Sequence, residues 1–187
     1  MKQFLVGISV LSVLVMASCS KSDSNSTPVA KTKKIQVAFG PVGNYTLFSF
    51  KDTGVVANTD SNTTKWDFGL RFTTFIVNSH AGGPGNAGAI LQPGVYSSIT
   101  EAPTTNYAYD TATNQRAIKD RSWYDYNPTT HAFTPKAGQV FFFRTADNKY
   151  VKMELISVDY GPLVGPVPSY LEYNFRYTYQ PNGSNKF

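Results

Sequence analysis

The chain has 187 residues, about one domain's worth and long enough to bury a real core. Aromatic residues make up 14%, with 12 Tyr and 13 Phe, while charged residues are only 16%, a balance that favours pleated strands over Glu/Lys/Ala-rich helices. The formal charge of +5 is scattered, with no basic run beyond Lys33-Lys34, which argues against a nucleic-acid partner, and the single cysteine excludes disulfides, thiolate metal sites and a cysteine nucleophile from the rest of the chain.

The N-terminus, "MKQFLVGISVLSVLVMASC", has a basic start at Lys2, an apolar run from Phe4 to Met16, and small residues Ala17-Ser18 before Cys19. The run is short of the roughly 20 residues that a membrane-spanning helix needs, and it fits a secretory signal. The cysteine directly after the small residues resembles the lipobox of bacterial lipoproteins. That resemblance implies a signal peptide over residues 1–18 and Cys19 as an acylated first residue of the mature protein, held at the outer membrane. The competing reading is an uncut anchor with an incidental cysteine. Residues 19–33 are Ser/Thr/Asn-rich and nearly free of large apolar side chains, so they read as a flexible tether. A single β domain is expected over 34–187.

Period-two alternation then recurs along the chain. "KKIQVAF" puts Ile35, Val37 and Phe39 on one side, and "TLFSF" follows a turn at 40–44. "KWDFGLRFTTFIVNS" reads as one long strand with an irregularity at Gly69. "QVFFFRT" and "YVKMELISV" flank Ala146-Asp147-Asn148-Lys149, whose Asp-Asn chemistry predicts a hairpin turn. In the second of these strands Val151, Met153 and Leu155 are expected to face inward, with Lys152 and Glu154 outward. In "YLEYNFRYTYQ", Leu171, Tyr173, Phe175, Tyr177 and Tyr179 share one face, and a helix would scatter them. No helical stripe of ten residues follows the signal. The expected fold is all-β and mostly antiparallel, a sandwich-type fold with long loops between about 82 and 120 and between 161 and 168.

The segment "GGPGNAG", residues 82–88, matches the G-x-G-x-x-G dinucleotide pattern at Gly83, Gly85 and Gly88. That fingerprint needs a helix after the glycines to receive a pyrophosphate. Here "AILQPGVYSS" follows and Pro93-Gly94 interrupts it, so the pattern predicts no nucleotide site.

Three blocks in order carry a different resemblance. "KWDFGLRFTTFIVNSHAGGPGNAGA", "WYDYNPTTHAFTP" with "FFFRTADNKYVKMELISVDY", and "FRYTYQPNGSNKF" resemble the HmuY-like proteins over most of residues 34–187. The resemblance implies a β-rich bacterial lipoprotein of the haemophore type. Such a protein grips haem iron between axial His or Met side chains and passes haem to an outer-membrane uptake receptor.

Haem needs an apolar slot, axial ligands and partners for its propionates. The candidates for iron are His131 and His80, because Met153 alternates with core positions. The family places one ligand shortly after the tryptophan resembling Trp123, which counting puts near Pro128 rather than at His131. His80 stands where the family's loop more often has glycine. A structural or surface role competes for both histidines. The region between the glycine loop and Trp123 holds neither His nor Met, leaving Tyr107 and Tyr109 as phenolate candidates. Trp123, Tyr124 and Tyr126 are candidate slot residues or sandwich caps, and Arg116, Lys119 and Arg121 are candidate propionate partners. Asp67 beside Trp66 reads as a structural hydrogen-bonding group.

No nucleophile with an adjacent base stands out, which argues against an enzyme. No D-x-D-x-D cluster suggests calcium. Two functions remain open: haem capture for iron acquisition without catalysis, or a surface accessory lipoprotein of the same fold that binds a glycan, another porphyrin or a protein.

Overall fold

The structure, a computed structural model, describes residues 27–112 and 115–187. The proposed signal, Cys19 and most of the tether lie outside the described residues. Thirteen strands occur among those described: β1 Lys31–Ala38, β2 Thr46–Ser49, β3 Gly54–Val56, β4 Phe68–Arg71, β5 Thr74–Val77, β6 Gly88–Pro93, β7 Tyr124–Asn127, β8 Ala132–Pro135, β9 Gln139–Arg144, β10 Tyr150–Tyr160, β11 Leu163–Val164, β12 Val167–Pro168 and β13 Tyr170–Gln180. One sheet runs β1-β13-β10-β9-β6 and a second runs β3-β2-β4-β5, with β7-β8 and β11-β12 as separate hairpins. Every pairing is antiparallel.

The two sheets share one aromatic core. Leu171, Tyr173, Phe175 and Tyr177 of β13 are all fully buried, as their alternation predicts. They meet Phe48, Phe68 and Phe75 of the smaller sheet. Phe48 and Phe175 sit edge to face at 5.3 Å, and Phe68 stacks on Phe143 at 5.5 Å. Each such ring contributes roughly 1.5–3 kcal/mol by burial, plus the pair geometry. Two tyrosines of β13 also tie the sheets together: the Tyr173 hydroxyl donates to the Phe72 carbonyl at 2.6 Å, and the Tyr177 hydroxyl to the Phe50 carbonyl at 3.3 Å. The expected turn at 146–149 is present. Asn148 has φ 63° and donates to the Thr145 carbonyl, while Thr145 Oγ1 accepts from the Lys149 N–H.

Three expectations need correction. "KWDFGLRFTTFIVNS" is not one strand: β4 and β5 pair as a tight hairpin in which Arg71 faces Thr74. The turn is made by Phe72 at φ 51° and Thr73, with none of the Gly, Pro, Asn or Asp chemistry that marks turns. Gly69 is regular; a Cβ there would lie 2.9 Å from the side chains of both Leu47 and Ile76. Lys152 does not face solvent. It is buried, and its Nζ donates to the Tyr96 and Ile99 carbonyls at 3.2 and 2.5 Å. A second cluster containing Tyr96, Phe142 and Phe187 covers that side of the large sheet. Finally, strand pairing begins at Lys31, within the stretch read as tether, where the edge strand β1 pairs Lys31 to Lys34 with Tyr177 to Asn174 of β13.

The glycine loop has a packing explanation. Asn78, fully buried, donates through Nδ2 to the Thr63 and Trp66 carbonyls at 2.9 and 2.7 Å, and its Oδ1 accepts the Gly85 N–H at 2.9 Å. A Cβ on Gly83 would collide with Asn78 Oδ1 and Trp66, and one on Gly82 with the Val77 carbonyl. The loop is therefore wrapped around an asparagine. It leads into β6, with no helix to receive a phosphate.

Candidate functional site

The β7-β8 hairpin turns through Pro128-Thr129-Thr130-His131. Asn127 Oδ1 accepts the Thr129 and Thr130 N–H groups at 2.9 and 3.2 Å, and His131 closes the turn at φ 55°. This left-handed closure folds the imidazole back over the hairpin. His131 Nδ1 and the Tyr126 hydroxyl are hydrogen-bonded at 2.6 Å, and Nε2 has no hydrogen-bond partner among the described residues. Tyr126 in turn lies 5.2 Å from Phe133, ring to ring.

These side chains border a cleft of about 400 Å³. Its walls are aromatic and aliphatic: Phe39 from the end of β1, Phe72 from the β4-β5 turn, Phe133 from β8, and Leu163 and Val167 from the β11-β12 hairpin. Phe72 sits edge to face with both Phe39 at 5.2 Å and Phe133 at 5.1 Å. Tyr160 also lines the cleft, and its hydroxyl accepts the Phe133 N–H at 2.7 Å. Burial pushes the Tyr160 phenol above its ordinary pKa, so it stays protonated at neutral pH. The β11-β12 rim is open, with Leu163 71% and Val167 43% exposed.

The other candidates from the sequence lie elsewhere. His80, exposed at φ 45°, follows the far end of β5 and meets the Tyr109 ring at 5.9 Å. The Thr73 end of β5 abuts the cleft through Phe72, and five residue steps to Asn78 at about 3.3 Å each separate the two ends by about 16 Å. His80 does not border the cleft that His131 lines. Tyr107 is buried in the second cluster, donates to the Pro103 carbonyl at 3.0 Å, and has its phenol pKa pushed up by burial. Trp123 is 1% exposed; its Nε1 donates to the Thr73 carbonyl at 3.2 Å, and its ring lies under Tyr124 at 4.6 Å. It supports the β4-β5 turn rather than lining the cleft. Tyr124 donates to Asp120 at 2.8 Å. None of Arg116, Lys119 and Arg121 borders the cleft. Arg116 pairs at 3.2 Å with Asp110, whose buried carboxylate also accepts the Val77 and Ala117 N–H groups.

Sequence reasoning missed the contributions of Phe39, Phe72 and the β11-β12 hairpin. Phe39 was visible as the exit of an alternating strand. Phe72 was hidden inside what read as one long strand, and the hairpin lay within an expected loop.

As a haem site the cleft is a partial fit. It offers aromatic and aliphatic walls and one imidazole with a hydrogen bond on Nδ1 and Nε2 left open, an arrangement common among metal-ligating histidines. Among the described residues its lining supplies no second His or Met and no basic group beyond His131 for a propionate.

Among solved structures, the fold is similar to that of the apo HmuY analog of Tannerella forsythia, with a TM-score of 0.55 at 13% identity over 83% of this chain and 99% of that one. It is also similar to apo PinO from Porphyromonas gingivitis, with a TM-score of 0.51 at 12% identity over 80% and 97%. No protein-family model and no curated protein sequence matches the chain. The chain thus has a HmuY-like all-β fold.

Proposed function

We propose that this protein is a lipid-anchored, non-catalytic haem-binding protein of the haemophore type, which captures haem for iron acquisition at the outer membrane. The observation that carries the reading is His131: an imidazole oriented by Tyr126, with Nε2 free, at an aromatic cleft open to solvent. His131 would hold the iron on one side; Phe72, Phe133 and Phe39 would pack against the macrocycle. The HmuY-like fold and the lipobox-like Cys19 support the same reading. Acyl chains on Cys19 would hold the protein at the membrane, each buried methylene adding about 0.8 kcal/mol of membrane affinity. β1 runs from the tether side at Lys31 to Ala38 beside the cleft, about 23 Å at 3.3 Å per residue. The cleft therefore lies at the end of β1 remote from the tether. Titrating the full chain in detergent with haemin tests the proposal: a saturable Soret change at low micromolar haemin is expected, and its absence overturns haem capture.

One observation favours a second reading. Among the described residues the cleft is lined by one histidine, His131, and His80 does not border it. An accessory surface lipoprotein that uses the same cleft for another porphyrin, a glycan or a protein partner would need no second ligand.

A further inference from the structure

A second concavity, of about 440 Å³, lies on the outer face of the smaller sheet. Its floor is apolar: Leu47 and Ile76 close over Gly69, with Trp66 packed beside them. Its rim is polar, with Asn44, Asn58 and Ser61, and two arginines from distant parts of the chain, Arg71 and Arg116.

The two arginines differ in their charge balance. Arg116 is neutralised by Asp110 at 3.2 Å. Arg71 has no acidic partner among the described residues. Its guanidinium lies over the Tyr45 ring, 4.4 Å from the centroid, and Nη1 donates to the Gly43 carbonyl at 3.1 Å. Its Nε is buried and has no acceptor. A guanidinium with no carboxylate partner at the rim of a concavity keeps its charge and its remaining N–H donors for an anionic ligand. Stacking on Tyr45 and the Gly43 bond fix the fork before a ligand arrives, which reduces the ordering cost of binding.

From this geometry we infer that the outer face of the smaller sheet binds a small carboxylated ring compound, of the class of acidic monosaccharides. A planar guanidinium suits a carboxylate. The apolar floor suits the C–H face of a ring, and the Asn and Ser side chains at the rim suit its hydroxyls. The concavity is far larger than a bare inorganic anion requires. The inference is independent of the haem reading, because none of these residues borders the His131 cleft.

The test titrates the full chain in detergent with sodium glucuronate, glucose and sodium acetate, by calorimetry and tryptophan fluorescence. Saturable glucuronate binding is expected, weakened at least tenfold by Arg71→Gln and by raised salt, with glucose and acetate each binding at least tenfold more weakly. Haemin titration of Arg71→Gln should match the unaltered chain. Should Arg71→Gln fail to fold, the Arg71 Nε–Hε resonance of the unaltered chain gives the readout, and it should move on adding glucuronate. Absence of saturable glucuronate binding, or binding indifferent to Arg71→Gln, overturns the inference. Equal affinity for glucose removes the carboxylate part, and equal affinity for acetate removes the ring part; either result overturns the stated class.

Discussion

Asp67 should make this fold less stable as pH rises from about 4 to about 6.5. The side chain is 5% exposed and accepts two buried N–H groups, from Phe50 at 2.8 Å and from Ala146 at 3.0 Å. These bonds favour the carboxylate, but burial outweighs them and holds the pKa at about 6, against an ordinary 3.8. The folded state therefore keeps a proton that the unfolded chain releases. The stabilisation is complete below pH 3.8 and lost as pH rises through about 6. At 1.36 kcal/mol per pKa unit, the shift corresponds to a loss of about 3 kcal/mol across that window as an upper bound. Urea unfolding at several pH values, on the unaltered chain and on Asp67→Asn, isolates this contribution from other groups. Asp110, whose pKa burial also raises, is common to both proteins. The stability of the unaltered chain relative to Asp67→Asn should fall by 1–3 kcal/mol, on the order of the shift, between pH 4 and 6.5. A flat or rising difference would refute the reasoning, since it would mean that the two N–H donors dominate burial.

Two further perturbations follow from the same contacts. Asn78→Ala removes one acceptor and two donor bonds at a fully buried position, and should cost about 3 kcal/mol or more in denaturant unfolding, with the glycine loop the first segment to lose hydrogen-exchange protection. Tyr126→Phe removes the hydroxyl that orients His131, and should weaken haemin binding about tenfold while leaving thermal stability nearly unchanged, because Tyr126 is 38% exposed.

The fold was legible wherever alternation met a simple two-sided environment. β13 shows this best: of its five expected inward positions, Leu171, Tyr173, Phe175 and Tyr177 are fully buried, and Tyr179 packs half-buried against the same core. Lys152 misled because the outer face of the large sheet is not solvent there. The Tyr96 turn and Phe187 cover it, and distant chain segments that cover a face leave no local periodicity. Phe72 misled because its turn relies on a positive φ adopted by an aromatic residue, held by the Tyr173 hydroxyl on its carbonyl from 101 residues away. The site was legible in part for the same reason. His131 and Tyr126 are five residues apart on one hairpin, so their proximity is local. The cleft walls come from β1, the β4-β5 turn and the β11-β12 hairpin, and only the tertiary fold brings them together. The glycine pattern showed the converse. It matched a phosphate motif in letters, yet the glycines make room for packed neighbours: Asn78 and Trp66 at Gly83, Asn78 and Ala146 at Gly85, and Tyr107 and Tyr109 at Gly88.

The most direct test of the central claim is a haemin titration of three full-length proteins side by side: the unaltered chain, His131→Ala and His80→Ala. The account predicts a saturable Soret band for the unaltered chain, the same band and affinity for His80→Ala, and a shifted band with at least tenfold weaker binding for His131→Ala. Identical titrations for His131→Ala and the unaltered chain would contradict it.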